Sequence, residues 1–412
     1  MTTTIASIQP LAARVLNGAT DVDAACPNCG GRGMSAFYAV NGIPVHSTLM
    51  LDSAAEGVQY PRGDFRLGFC PACGFIANTI FDPRVHEYSP RCEESQAFSP
   101  TFNAFARSLA QRWVERYGVR NKTIVEIGCG KGDFLMLICE AGNNRGIGID
   151  PSSQPQRIPA EFHDRVRFIQ ELYGEQHAKL TADAVLCRHT LEHIAPTGQF
   201  LRTIRRVIGD RKDVVVLFEL PDVTRVVREG AFWDIYYEHC SYFTLGSLAR
   251  LFRASGFDIV ELERDYGDQY ALIAARPADG PTQPRLPAED DLEQTARDVQ
   301  HFRRVVAEQL ARWRGEVLDR VQRGQRVVLW GALSKAVSFL TTLGVGSAIQ
   351  YVVDINTYRH GKFMPGGGQE IVPPKFLAEY RPDLVIAMNP IYLKEIRRDL
   401  DAHGVSAELV AV

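Results

Sequence analysis

The sequence predicts an α/β protein in three parts: a small four-cysteine module at about residues 20–95, a parallel-sheet domain at 96–279, and a second sheet-and-helix domain at 280–412. Three observations predict it. Two Cys-x-x-Cys pairs stand near the start of the chain. Short apolar runs then alternate with helical patterns, as they do where a parallel sheet is covered on both faces. Finally, residues 276–290 carry Pro277, Pro281, Pro284 and Pro287, which read as an exposed, semi-rigid linker, and the alternation resumes after it. With 412 residues the chain is long enough for two or three domains of about 150 residues each.

Composition narrows the function classes. Hydrophobic residues make up 45% and charged residues 23%, near the averages for folded proteins, which excludes a disordered, collagen-like or wholly coiled-coil chain. Lys plus Arg number 46 against 49 for Asp plus Glu, a net charge of −3. Such a balance provides no broad attraction to phosphate backbones or anionic lipid, so neither a nucleic-acid nor a membrane partner is expected. Residues 1–20 lack a basic start and break their apolar stretch at Gln9 and Pro10, so they do not read as a secretory leader. No apolar run approaches the roughly 18 residues needed to span a bilayer, and a cytoplasmic location is expected.

The first element is Cys26-Pro27-Asn28-Cys29-Gly30 with its near-duplicate Cys70-Pro71-Ala72-Cys73-Gly74. Each pair offers two thiolates from a tight turn, and four thiolates suit tetrahedral Zn²⁺. A redox pair is the competing reading, but the thioredoxin-type motif occurs once and in a βα context. With Cys26, Cys29, Cys70 and Cys73 all committed there is no open coordination position, so the expected zinc is structural.

Next comes a strand, Ile124-Val125-Glu126-Ile127, which ends in Gly128-Cys129-Gly130-Lys131-Gly132 and then a helix. Glycines on alternate positions let a ligand approach the backbone, and the helix start offers free N–H groups. A dinucleotide fingerprint would place the third glycine three positions after the second, whereas here it follows after two. The spacing resembles that of class I S-adenosylmethionine-dependent methyltransferases, whose fold is Rossmann-like. By that resemblance Glu126, Gly128, Gly130 and Gly132 hold the donor, and Asp150, at the end of Gly146-Ile147-Gly148-Ile149, binds its ribose. His189-Thr190-Leu191-Glu192-His193 matches the inverted zinc-protease motif. It directly follows the strand 182–187, however, where a methyltransferase sheet feeds its donor pocket, so His189 is read as flanking the cofactor and His193 as a packed or capping residue.

After the strand 214–220 the chain enters Trp233-Asp234-Ile235-Tyr236-Tyr237-Glu238-His239-Cys240-Ser241-Tyr242-Phe243. Thr244 reads as the N-cap of the following helix, which makes this cluster a loop at a helix entrance. Three tyrosines, a carboxylate and a histidine suit acid–base work, since imidazole titrates near neutrality. Aromatic packing around a satisfied histidine is the plainer alternative.

Beyond the linker, Leu292, Ala296, Val299, Phe302, Val306, Leu310, Trp313, Val317 and Val321 recur every three or four residues. They predict one long amphipathic helix, about 45 Å over thirty residues, packed on a core. Gly331, Asp354 and Asn389 each stand at a strand end, where open parallel sheets bind ligands. Together with Lys335 they are candidate contacts to a phosphate or nucleotide, although a purely structural domain is equally open. Gly366-Gly367-Gly368 reads as a mobile loop.

Taken together, the paired cysteines, the Glu126–Gly132 loop, the 236–243 segment and the second α/β domain resemble the sugar C-methyltransferases that act on nucleotide-linked 4-keto-deoxysugars. The likeness spans about Cys26 to Val412. It implies acid–base roles for Tyr236, Glu238 and His239, with Tyr237 and Tyr242 lining the substrate. Two turns depart from the family pattern: Tyr266-Gly267-Asp268-Gln269-Tyr270 stands where a His-Gly-Gly is common, and Gly331-Ala332-Leu333-Ser334-Lys335-Ala336 lacks a glycine after its lysine.

The chemistry agrees with these residue types. A carbon beside a ketone must lose a proton before it can attack, which calls for a base near neutrality and a partner for the enolate oxygen. His239 can take the proton, and Glu238 or a tyrosine hydroxyl can hold the imidazole or the developing oxyanion; the sequence leaves open which of Glu238 and His239 is the base. The expected substrate is a small molecule such as a nucleotide sugar. Methylation of an O or N atom is the alternative within enzymes; a zinc-ribbon protein bound to nucleic acid is the alternative outside them, and no Lys/Arg stripe supports it.

Overall fold

The computed structural model describes residues 10–22, 24–85, 88–280 and 282–412. The expectation for residues 1–20 therefore falls largely outside the described residues, as does Pro281 of the linker. Among the described residues no helix is long and apolar enough to cross a membrane.

Strands β1 (Ala13–Asp21), β2 (Ser35–Pro44), β3 (Arg62–Phe69) and β4 (Ile76–Asn78) form an antiparallel meander. Both cysteine pairs sit in turns at its end. Each turn closes on itself through Gly30 N–H to Cys26 C=O at 2.8 Å and Gly74 N–H to Cys70 C=O at 2.9 Å.

The middle of the chain builds a seven-stranded sheet. Strands β5 (Thr123–Ile127), β6 (Arg145–Ile149), β7 (Val166–Ile169), β8 (Ala184–Arg188) and β9 (Val215–Pro221) are parallel. Then β10 (Ser241–Tyr242) leaves to pair with β4, before the hairpin β11 (Phe257–Asp265) and β12 (Tyr270–Pro277) returns antiparallel beside β9. The order is β11-β12-β9-β8-β5-β6-β7, the class I methyltransferase arrangement. Alternation in β5 sends Ile124 to one core and Val125 and Ile127 to the other, which is why the run reads as continuously apolar. The strand order reverses at β5, the place where open parallel sheets bind ligands. Gly128 and His189 directly follow the carboxyl ends of β5 and β8.

The C-terminal sheet is fully parallel. Its strands β13 (Val327–Trp330), β14 (Tyr351–Val353), β15 (Glu370–Val372), β16 (Leu384–Ala387) and β17 (Glu408–Ala411) run in the order β15-β14-β13-β16-β17. The periodic stripe forms one helix, Leu292–Gln322. It joins the parts instead of serving one of them: Phe302 meets Phe37 and Tyr38 of β2 edge-on at 5.7 and 5.3 Å, while Trp313 meets Phe339 of the last domain at 5.6 Å. The linker is more tied down than its prolines suggest. Arg253 grips Glu289 at 2.7 Å, and Arg250 grips Asp291 at 2.8 Å.

Phe302 is fully buried where the first sheet and the long helix meet. Phe302→Ala should lower stability by about 3–5 kcal/mol, read from the urea midpoint; a loss under about 1 kcal/mol would mean this joint carries no weight.

Candidate active site

The glycine turn has the form a ligand cradle needs. Gly128, Gly130 and Gly132 have φ of 69°, 53° and 82°, a region side chains disfavour. A Cβ at Gly128 would strike Thr190, and one at Gly132 would strike Phe168. Asp150 holds the turn from β6, accepting from Gly130 N–H at 2.9 Å and from Ser152 N–H at 2.6 Å. The helix Asp133–Gly142 starts at Gly132 without a side-chain cap, which leaves N–H groups for a ligand. Beneath the turn, Glu126 is buried and burial pushes its carboxyl up to about 8. One of its oxygens lacks a hydrogen-bond donor. A positive-φ glycine turn, free N–H groups at the helix start and an orphan carboxyl fit S-adenosylmethionine, and these are the residues that would hold it.

After β8 comes His189, whose φ is 47°. Its Nε2 lies 2.7 Å from Glu219, which also pairs with Arg188 at 2.8 Å. The following residues 191–193 form a single 3-10 turn. His189 and His193 therefore do not share a helix face, and the protease geometry is absent. His193 packs beside the proposed base instead, its ring 4.8 Å from that of His239, and its Nδ1 contacts the Glu238 carbonyl at 3.1 Å.

His239 is buried with its Nε2 3.1 Å from the Tyr236 hydroxyl and 4.0 Å from the Glu192 carboxyl. Burial first, then the neighbouring histidines and Lys335, hold its pKa well below the usual 6.5, so the ring is neutral at pH 7. Burial keeps Tyr236 protonated and raises Glu192 to about 8. Glu238 follows its neighbour in sequence but points elsewhere. Its carboxylate pairs with His46 Nδ1 at 2.9 Å and accepts from the Ser47 hydroxyl. Burial alone would raise Glu238, yet His46 outweighs it and holds the carboxyl far below its usual range. In return, Glu238 overcomes the effect of burial on His46 and lifts it to about 10.

Other predicted residues are placed as follows. Tyr242 packs its ring 6.2 Å from His239. Tyr237 turns away into the first core, where its hydroxyl accepts from Asp82 N–H at 3.1 Å. Lys335 reaches the 233–243 loop and pairs with Asp234, two residues before Tyr236, at 2.7 Å. Gly331 stays at its strand end, with its N–H on the Val353 carbonyl. Asp354 accepts from Ala332 N–H and Arg359, both at 2.8 Å. Asn389 exchanges two hydrogen bonds with Gln269, at 3.1 and 2.8 Å, and so joins the last domain to the methyltransferase sheet. His46, Ser47 and Glu192 were missed as site residues. Glu192 lay inside a motif weighed only as a metal site, whereas His46 and Ser47 carry no local signal.

The four cysteines converge. Their sulfurs lie within 4.8 Å of one another, with Cys26–Cys73 at 3.7 Å and Cys29–Cys70 at 3.8 Å. Bonds of about 2.3 Å at tetrahedral angles separate sulfurs by about 3.8 Å, so the set fits Zn²⁺. Asn28 and Gly31 donate to Cys73 and Cys29 at 3.5 and 3.4 Å, the outer support such thiolates need.

Comparison with known proteins gives two family matches: a methyltransferase domain over residues 102–262 and a C-methyltransferase C-terminal domain over residues 279–408. The chain is 28% identical over 310 residues to C-methyltransferase NovU of Streptomyces niveus, covering 70% of this chain and 72% of the relative. Among solved structures, the Burkholderia thailandensis 1,6-didemethyltoxoflavin-N1-methyltransferase, with S-adenosylhomocysteine bound, is 22% identical over 42% of this chain and 79% of its own, at a TM-score of 0.34. Magnesium protoporphyrin IX methyltransferase from Synechocystis PCC 6803 is 14% identical over 43% and 84%, also at 0.34.

Two outcomes are expected. Purified protein should carry about one Zn²⁺ per chain by mass spectrometry, and Cys70→Ser should lose both the metal and thermal stability; metal-free protein of unchanged stability would contradict it. His46→Gln should cost about 3–5 kcal/mol by leaving Glu238 buried and unpaired. His46 gains proton affinity on folding, so its share is complete below 6.5 and fades as pH climbs toward about 10. Glu238 loses proton affinity, so its share is complete above 4.5 and fades on acidification. The gap between wild type and variant in urea should therefore be wider at about pH 5.5 than at about pH 9.5.

Proposed function

We propose that this chain, an S-adenosylmethionine-dependent methyltransferase by the two domains it carries, methylates a carbon next to a ketone on a nucleotide-linked deoxysugar or related small metabolite. The observation that carries the reading is an imidazole kept uncharged in a sealed, tyrosine-lined corner, beside the carboxyl ends of the donor-side strands. Transfer to oxygen or nitrogen places less demand on such a base.

When bound, S-adenosylmethionine supplies an electrophilic methyl group. His239 takes the proton from the carbon next to the ketone. Tyr236, held protonated, donates to the imidazole at rest and to the enolate oxygen as charge develops there. Lys335 adds positive potential from the C-terminal domain, which favours an enolate and disfavours a resting imidazolium. Glu238 is a poor base because its ion pair with His46 stabilises the carboxylate, so its role is to fix the loop that presents His239. Lys335, although paired with Asp234, is the C-terminal contact that reaches the 233–243 loop, whereas Gly331, Asp354 and Asn389 are engaged within and between domains. Cys26, Cys29, Cys70 and Cys73 hold a structural Zn²⁺.

The test is exchange in D₂O without donor, using thymidine diphosphate-4-keto-6-deoxyglucose. Wild type should place deuterium next to the ketone, and His239→Ala should do so about a hundredfold more slowly or worse. The variant should keep its heat of binding for S-adenosylhomocysteine. Methyl transfer to oxygen or nitrogen without exchange would overturn the proposal.

A further inference from the structure

Glu94 belongs to none of the motifs above, yet it lies over the glycine turn. Its Oε1 occupies the space a Cβ on Gly130 would need, at 2.6 Å. Both carboxylate oxygens are sealed from solvent, and neither receives a hydrogen bond. The cation facing it is Lys131, 3.4 Å away, whose ammonium already donates to the Ser152 carbonyl at 2.9 Å. Asp150 and Glu93 face it as well, and with burial they raise its carboxyl to about 7.

The residues on either side of Glu94 are anchored. Glu93 pairs with Arg157 at 2.8 Å and accepts from Asn356 at 2.9 Å. Arg359 donates to the Glu93 carbonyl at 2.7 Å, and Ser95 donates to Asp133, the first residue of the helix that follows the turn, at 2.7 Å. Asn356 and Arg359 belong to the C-terminal domain. That domain therefore presses a strap, residues 93–95, onto the donor turn.

We propose that this strap is a wall of the donor site and that the Glu94 carboxylate accepts hydrogen bonds from the ammonium of the methionine part of S-adenosylmethionine. The inference rests on the donor lying at residues 128–132. The donor's other cation, the sulfonium, has no N–H to give and leaves the orphan oxygens unsatisfied. Ribose hydroxyls would satisfy them with neutral donors only, and Lys131, the cation already beside Glu94, is committed to the Ser152 carbonyl. An ammonium gives both oxygens charge-assisted hydrogen bonds. Asn356, Arg359 and Asp354 then form the clasp that sets the strap, which gives the C-terminal domain a part in donor binding without contact to the donor.

Calorimetry on the full chain at pH 8 tests this with two probes, S-adenosylhomocysteine and 5′-methylthioadenosine, which lacks the amino-acid end. Glu94→Gln should weaken the first about tenfold or more and leave the second within about twofold. Glu94→Asp, which keeps the charge on a shorter arm, should fall between. Unchanged affinity of Glu94→Gln for S-adenosylhomocysteine would overturn the proposal, and so would equal weakening of both probes, which would assign the carboxylate to the adenosine end. Absence of heat in wild type would instead sink the donor-site reading itself. Matching melting temperatures of the variants and wild type exclude misfolding as the cause.

Discussion

The buried pair between Glu238 and His46 is the contact on which the placement of the 236–239 turn depends. Two charges with side chains almost fully removed from water are tolerable only together, so Glu238 cannot move without stranding His46. Ser47 bonds Glu238 and also reaches the Ser334 hydroxyl of the C-terminal domain at 2.7 Å. One carboxylate thus fixes three parts of the chain around His239. The first sheet is thereby tied to the 236–239 turn, because the stretch just after β2 carries His46 and Ser47.

What could be read from the sequence follows from range. The glycine turn, the strand that feeds it and the cysteine pairs are local patterns in which spacing alone limits geometry, and in the structure Gly128, Gly130 and Gly132 form one positive-φ turn braced by Asp150. The long helix was legible from its stripe, but not its partners, since periodicity tells which face is buried and not against what. His46 and Ser47 stand alone in an unremarkable stretch and meet Glu238 only through tertiary folding. A turn at 236–239 brings Tyr236 back onto His239, while Tyr237 between them enters the core. Neither orientation can be inferred from a run of aromatic letters.

The C-terminal domain keeps the strand order of a nucleotide-binding half, but its strand ends are largely engaged. Asp354 closes on Arg359, and Asn389 closes on Gln269, the position at which this chain departs from the family's His-Gly-Gly. Lys335 is the exception, partly buried and aimed at Asp234 in the 233–243 loop. A fold of this kind can serve as a brace as readily as a binding site, and its contacts here are mainly those of a brace.

The pairing of β10 with β4 bears on how the polypeptide is made. The four-cysteine meander is synthesised well before Ser241–Tyr242, so one border of β4 stays unfilled until that later strand arrives. During that interval the nascent product exposes an unpaired rim able to recruit a neighbouring copy, and a chaperone or quick zinc capture would be its natural protection.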